Sequence, residues 1–164
     1  MITILGYEVP NTIDELTIEQ FDRLNNIEAQ KDLDSIEKWI MKFVYLGIPE
    51  EAFEDITLGE LQKHMVAYNA DFVLPTEKQY EVEIDGYTYT AKEEISAKEM
   101  SLIEKSWKHN LGNFSADSLA IIFKRNDLTR NEHYTLAHLK QKAKLFREMK
   151  ASLAVPFVAE IIKS

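Results

Sequence analysis

Apolar positions along the chain recur at two spacings, and the change from one to the other marks its organisation. Ile18, Phe21, Leu24 and Ile27 recur every three residues after Thr17, close to the period of one helix face. A second stripe of Ile36, Trp39, Ile40, Phe43 and Val44 starts near Asp34 and stops at Gly47, a residue suited to the position after a helix end. Ile48-Pro49-Glu50-Glu51-Ala52-Phe53 reads as a single helical turn opened by Pro. A third helix is predicted from Thr57 through Leu58, Leu61, His64, Met65 and Tyr68, and residues 71–78 read as a connector.

The period then drops to two. Tyr80, Val82 and Ile84 alternate with Glu81 and Glu83, Asp85-Gly86 follows, and Tyr87, Tyr89 and Ala91 alternate with Thr88 and Thr90. Asp-Gly between two such runs is a strong hairpin signal, and a hairpin this small should pack on helices or pair with another strand, for which residues 2–9 are the candidate. Ile2, Ile4, Tyr7 and Val9 alternate more weakly, which predicts one short strand or extended arm ending at Pro10-Asn11.

Helical spacing returns at Ser96 and runs to about Asn110, closed by Leu111-Gly112-Asn113. A short, very apolar helix holding Leu119, Ala120, Ile121, Ile122 and Phe123 should follow, capped by Asn113 or Ser115. The last long helix is predicted to open at Thr129 and carry Leu136, Leu139, Ala143, Phe146, Met149 and Leu153. Pro156 should end or kink it, leaving Phe157, Val158, Ile161 and Ile162 as an apolar terminal turn. The fold class expected is mainly α, of the α+β kind: helical N- and C-terminal halves, 1–75 and 93–164, around one central β-hairpin, 76–92.

Four helix starts share one local device. In Leu16-Thr17-Ile18-Glu19-Gln20, Ile56-Thr57-Leu58-Gly59-Glu60, Ile95-Ser96-Ala97-Lys98-Glu99 and Leu128-Thr129-Arg130-Asn131-Glu132, a hydroxyl is followed three residues later by Glu or Gln. This is the capping box, in which the hydroxyl and the carboxylate or amide satisfy two otherwise unpaired backbone N–H groups. Phe21, Leu61 and Met100 complete a hydrophobic staple in the first three, whereas His133 occupies that position in the fourth. The segments between the boxes are unlike one another, which argues against an internal repeat.

Composition changes the picture in two ways. The 164 residues contain no Cys, so disulfides, thiolate metal sites and a Cys nucleophile are excluded. The net charge of −9 conceals a gradient: residues 1–60 carry fourteen Asp and Glu against four Lys and Arg, whereas residues 111–164 carry five against nine. A chain acidic at one end and basic at the other can pair with itself or with partners of complementary potential. The N-terminus lacks the basic and long apolar regions of a secretory signal, and no stretch approaches the ~20 apolar residues of a membrane span. An unexported polypeptide with no membrane association is expected.

Candidate chemistry is sparse. His133 and His138 would lie about 140° apart around a helix, not on one face as a metal pair requires; His64 sits in the Leu61 to Tyr68 stripe, and His109 at a helix end, where positive charge suits the dipole. Glu50-Glu51, Glu54-Asp55 and Glu93-Glu94 precede predicted helix starts, where negative charge favours the positive end of the dipole; that explains them without hydrolase chemistry. With five Gly in the chain there is no phosphate-cradling loop, and no Ser sits in a nucleophile elbow. Catalytic, cofactor-binding and metal-binding residues are therefore assigned to none of the positions, and no enzyme is expected. Lys140, Lys142, Lys144, Arg147 and Lys150 form a basic stretch without interleaved aromatics, which reads as a solvated face or a contact with acidic protein and makes nucleic acid an unlikely partner. Tyr80, Tyr87, Tyr89 and Trp107 are candidate interface anchors, with half of them expected to pack the hairpin.

The order of these cues resembles a class of small proteins from the structural gene clusters of tailed bacteriophages. The elements that carry the resemblance are Leu16 to Phe21, Gly47 to Glu51, Ile56 to Leu61 and Ile84-Asp85-Gly86-Tyr87-Thr88-Tyr89, all within the first 100 residues. It is similar to tail assembly chaperones and baseplate-hub assembly proteins, and the resemblance implies a non-enzymatic virion structural or assembly protein at the head, portal or tail. Implied partners are other phage structural proteins, with self-association through the acidic and basic ends, and the implied location is the virion or the host cytoplasm. The alternative is an acidic regulatory or inhibitory protein that docks on a basic or nucleic-acid-binding surface.

Overall fold

The computed structural model describes residues 1–128, 132 and 135–163. Among them are seven α-helices and two small antiparallel sheets, so the chain is α+β with a helical bulk. The expected cap at Thr129 and the histidine at 133 lie outside the described residues.

The N-terminal segment is a hairpin of its own, not a single strand or arm. Strands β1 (Ile2–Ile4) and β2 (Tyr7–Val9) pair with Ile2 opposite Val9 and Ile4 opposite Tyr7. Leu5 and Gly6 make the turn with φ of 51° and 84°, the positive values a two-residue hairpin turn demands. Gly6 meets that demand without steric cost, and Ile4 and Val9 are thereby aimed at one face. There they join Phe43, Ile48, Phe53, Leu61 and Tyr68 in a first core.

Local signals set the next helices. Thr17 and Gln20 exchange the two bonds of a capping box at the start of α1 (Ile18–Glu28), and Asp34 caps α2 (Ser35–Tyr45). A 3₁₀ turn (Glu50–Phe53) follows Pro49, and Thr57 accepts from the Glu60 N–H at the start of α3 (Leu58–Asn69).

Strands β3 (Glu81–Ile84) and β4 (Tyr87–Ala91) form the expected hairpin across Asp85-Gly86, with Val82 opposite Tyr89 and both buried. Its other edge is covered not by residues 2–9, whose two strands pair with each other, but by a strand that the hydrophobic pattern hid. Helix α4 (Ala97–His109) opens with the Ser96/Glu99 box, and α5 (Phe114–Ile122) ends one residue early as Phe123 enters β5 (Phe123–Arg125). Ala91 pairs with Phe123 and Tyr89 with Arg125. An apolar run buried on all sides shows neither period, so it could not announce where helix gives way to strand.

Every residue of α5 is buried, and the largest core forms around it. Helices α1, α4, α6 (Leu136–Arg147) and α7 (Ala151–Lys163) all pack against α5. The expected long C-terminal helix is in fact two. Thr135 caps α6, and the break falls at residues 148–150, not at Pro156, which lies inside α7. At the break the Ile18 N–H donates to Met149 O (2.8 Å) and the Ala151 N–H donates to Leu16 O (2.8 Å). Those backbone groups are thus spent on the segment before α1. A small cluster of Ile13, Leu16, Ala151 and Val155 fills the same joint.

Candidate functional site

A helix with no exposed surface leaves four N–H groups and four carbonyls that water cannot reach. Buried charges from other elements satisfy part of this need at both ends of α5. Asn113 at its start makes no side-chain capping bond, and Ser115 lies inside the first turn, so neither residue is the expected cap. The cap comes from Asp22 on α1: Oδ1 accepts from the Ser115 N–H at 2.9 Å, and Oδ2 accepts from Ser115 at 3.0 Å and Ala116 at 3.2 Å. Asp22 is only 2% exposed. Burial pushes its carboxyl up to about 6, against the opposing pull of the bonds from Ser115 and Ala116, and the nearby Asp117 charge adds to the rise. Asp117, on the first turn of α5, accepts from Ser106 Oγ (2.7 Å) and Asn110 Nδ2 (3.0 Å), and burial raises its pKa as well.

The opposite end carries the opposite sign. Lys92 Nζ donates to Ile121 O at 2.9 Å and pairs with Glu99. Lys142 Nζ donates to Phe123 O at 2.6 Å and to Glu132 Oε1 at 2.5 Å. Burial works to raise the Glu132 carboxyl, but the bonds from Lys142 and His138 outweigh it and hold the group below the ordinary carboxylate value. Burial draws Lys142 below the usual lysine value. Anions at the amino end and cations at the carboxyl end both complement the helix dipole.

Lys142 therefore overturns part of the basic-stretch reading. It is 7% exposed because it stands three residues after Leu139 and four before Phe146, in phase with the buried face. Lys140, Lys144 and Lys150 are exposed, as either a solvated face or a contact with acidic protein requires, and Arg147 is half-buried. Of the candidate anchors, Tyr89 is buried, Tyr80 and Tyr87 are exposed, and Trp107 is half-exposed with its ring edge-on to Phe114. Glu50, Glu51, Glu54, Asp55, Glu93 and Glu94 are all exposed. His64 is half-buried on α3, His109 ends α4, and His138 meets Glu132 at 3.1 Å.

Asp22, Asp117 and Lys92 escaped sequence reasoning. Asp22 is four residues after Ile18, on the apolar side of α1, and Asp117 interrupts the run from Phe114 to Phe123. A charge in phase with an apolar stripe was the available signal. Two clefts flank this charged framework. One of about 440 Å³ is lined by Glu19, Arg23, Tyr45, His109 and Asn113, and one of about 840 Å³ by Lys92, Lys98, Glu99, Lys124 and Glu132. Among the described residues no group of three or more His, Asp or Glu is placed to hold a metal ion, and no helix is long and apolar enough to cross a membrane.

The surface keeps the acidic charge of the first third and loses part of the basic excess of the last. Of the fourteen acidic residues within 1–60, all but Glu15 and Asp22 are exposed. The basic excess of the last third is partly internal, because Lys142 is buried against Glu132. No protein-family model matches this chain, and neither does any curated protein or solved structure.

Proposed function

We propose that this chain is a non-enzymatic structural or assembly protein of a tailed bacteriophage, working at the head, portal or tail through protein–protein contacts. The observation that carries this reading is the division of charge between interior and surface. Buried Asp22, Asp117 and Lys142 are engaged in holding α5 and its neighbours, while the acidic residues of 1–60 are turned outward. Rigid framing beneath a charged exterior suits a protein whose work is recognition. Helical regions 1–75 and 93–164, on either side of the 76–92 hairpin, then offer partners surfaces of unlike charge, in the virion or the host cytoplasm. Mass spectrometry of purified particles tests the proposal, together with pull-down of purified head, portal and tail proteins by the full chain. Presence in the particle makes the chain a component, and absence combined with binding to a virion protein makes it an assembly chaperone. Absence from particles with no binding to any virion protein refutes the reading.

The exposed acidic surface favours one second reading, an acidic regulatory protein that occupies a basic or nucleic-acid-binding surface. Salt-sensitive binding to a nuclease or polymerase, without binding to virion proteins, would select it.

A further inference from the structure

Helix α3 is amphipathic with one side left open. It buries Leu61 and Tyr68, while Val66 and Leu58 on its outer side are 71% and 52% exposed. Gly59, Gln62, Lys63, Val66 and Ala67 line a shallow depression along that side. Exposed Glu54, Asp55 and Glu60 crowd its amino-terminal end, and Glu50 and Glu51 stand on the 3₁₀ turn before it. Gly59 leaves the helix backbone open to close approach, since nothing lies within 4 Å of where its Cβ would be.

Helix α6 presents complementary chemistry. It contains no acidic residue from Leu136 to Arg147, and Leu136 at its start is 72% exposed. Lys140 and Lys144, four and eight residues on, are exposed on the same side. Eight residues of helix span about 12 Å, so Leu136 to Lys144 and Val66 to Leu58 are equal in length.

We propose that α3 of one copy receives α6 of a second copy, antiparallel, so that the chain associates head to tail. Leu136 covers Val66, Lys140 passes Gln62, and Lys144 reaches Glu54, Asp55 and Glu60. The two faces are different surfaces, so each added copy leaves one of each kind free, and association continues until a ring closes or a filament grows. This rests on the reading of the chain as an assembly protein and names a second copy as the partner of its acidic surface.

Sedimentation velocity of the full chain across a concentration series tests the pairing. At low salt the average mass should climb past that of a dimer, and the association should be lost at about 500 mM salt, where exposed charges are screened. Val66→Asp and Leu136→Asp, both at exposed positions, should each remain monomeric. An equimolar mixture of the two should form a dimer and stop there, because each variant retains the face the other lacks. Lys63→Glu removes the cation lining the depression and should shift association to severalfold lower concentration. A wild-type chain that stays monomeric, single variants that associate like wild type, a mixture that stays monomeric, or a Lys63→Glu chain that associates no more readily each overturns the proposal. A monomer still captured by virion proteins would sink this pairing and spare the assembly reading. A self-associating chain that no virion protein binds would do the reverse.

Discussion

Asp22 accepts from the backbone N–H of Ser115, ninety-three residues further along the chain. The bond makes α1, near the N-terminus, the cap of a helix in the second half, and it supplies the acceptor that Asn113 does not.

Removing that acceptor should be costly in a specific way. Asp22→Asn keeps one oxygen for the Ser115 N–H, whereas Asp22→Ala leaves the amides of Ser115 and Ala116 buried without a partner. Asp22→Ala should therefore be less stable than Asp22→Asn by about 2 kcal/mol, the scale of a lost cap with buried unpaired donors. Urea denaturation of the two variants at one pH measures the difference, and equal midpoints would show that the carboxylate does not cap α5.

Titration of Asp22 gives a second expectation. Its folded pKa, about 6, lies above the ordinary 3.8, so the folded protein holds this proton more tightly than the unfolded chain does. The resulting stabilisation is fully present below pH 3.8 and is lost as the pH rises through 6, a change of about 3 kcal/mol. Asp22→Asn cannot titrate, so its stability relative to wild type should improve by about that amount between pH 4 and pH 7. Parallel stability curves over the range would contradict the raised pKa.

Glu132 acts in the opposite direction. Its pKa lies below the ordinary 4.5, so the stability it contributes is present above that value and is lost as the pH falls through the folded pKa. Lys142→Met preserves the aliphatic stem but takes the ammonium from the Phe123 carbonyl and from the Glu132 carboxylate, which keeps His138 alone of its two partners. It should cost about 2–4 kcal/mol near neutral pH, and adding Glu132→Gln should restore part of the loss. Thermal unfolding of the three variants decides this, since purely additive losses would mean that the pair is not coupled.

Phe123 offers a test of the switch from helix to strand. It is fully buried, with its ring 5.8 Å from that of Phe146 and 5.5 Å from that of Phe157. Phe123→Ala should lower stability by about 3–5 kcal/mol. Hydrogen exchange should show the loss of protection spreading to β4, because the Ala91–Phe123 pairing depends on that packing. Increased exchange confined to α5 would indicate that β5 is held independently.

What the amino-acid sequence determined by itself was set by groups within a few residues of one another. Thr17 with Gln20, Ser96 with Glu99, the Asp85-Gly86 turn and the apolar stripes of α1 and α2 are all local relationships, so they are legible without knowing what packs where. Tertiary structure decided the rest. The Thr17–Lys150 bridge split the C-terminal helix at 148–150 while Pro156 stayed inside α7, and β4 drew Phe123 out of α5. Asp22, Lys92 and Lys142 became caps of a helix none of them belongs to. The physical reason is common to all three cases: sequence tells that a buried backbone group must find a partner, but when the neighbours along the chain do not provide it, only folding brings the supplier within bonding distance.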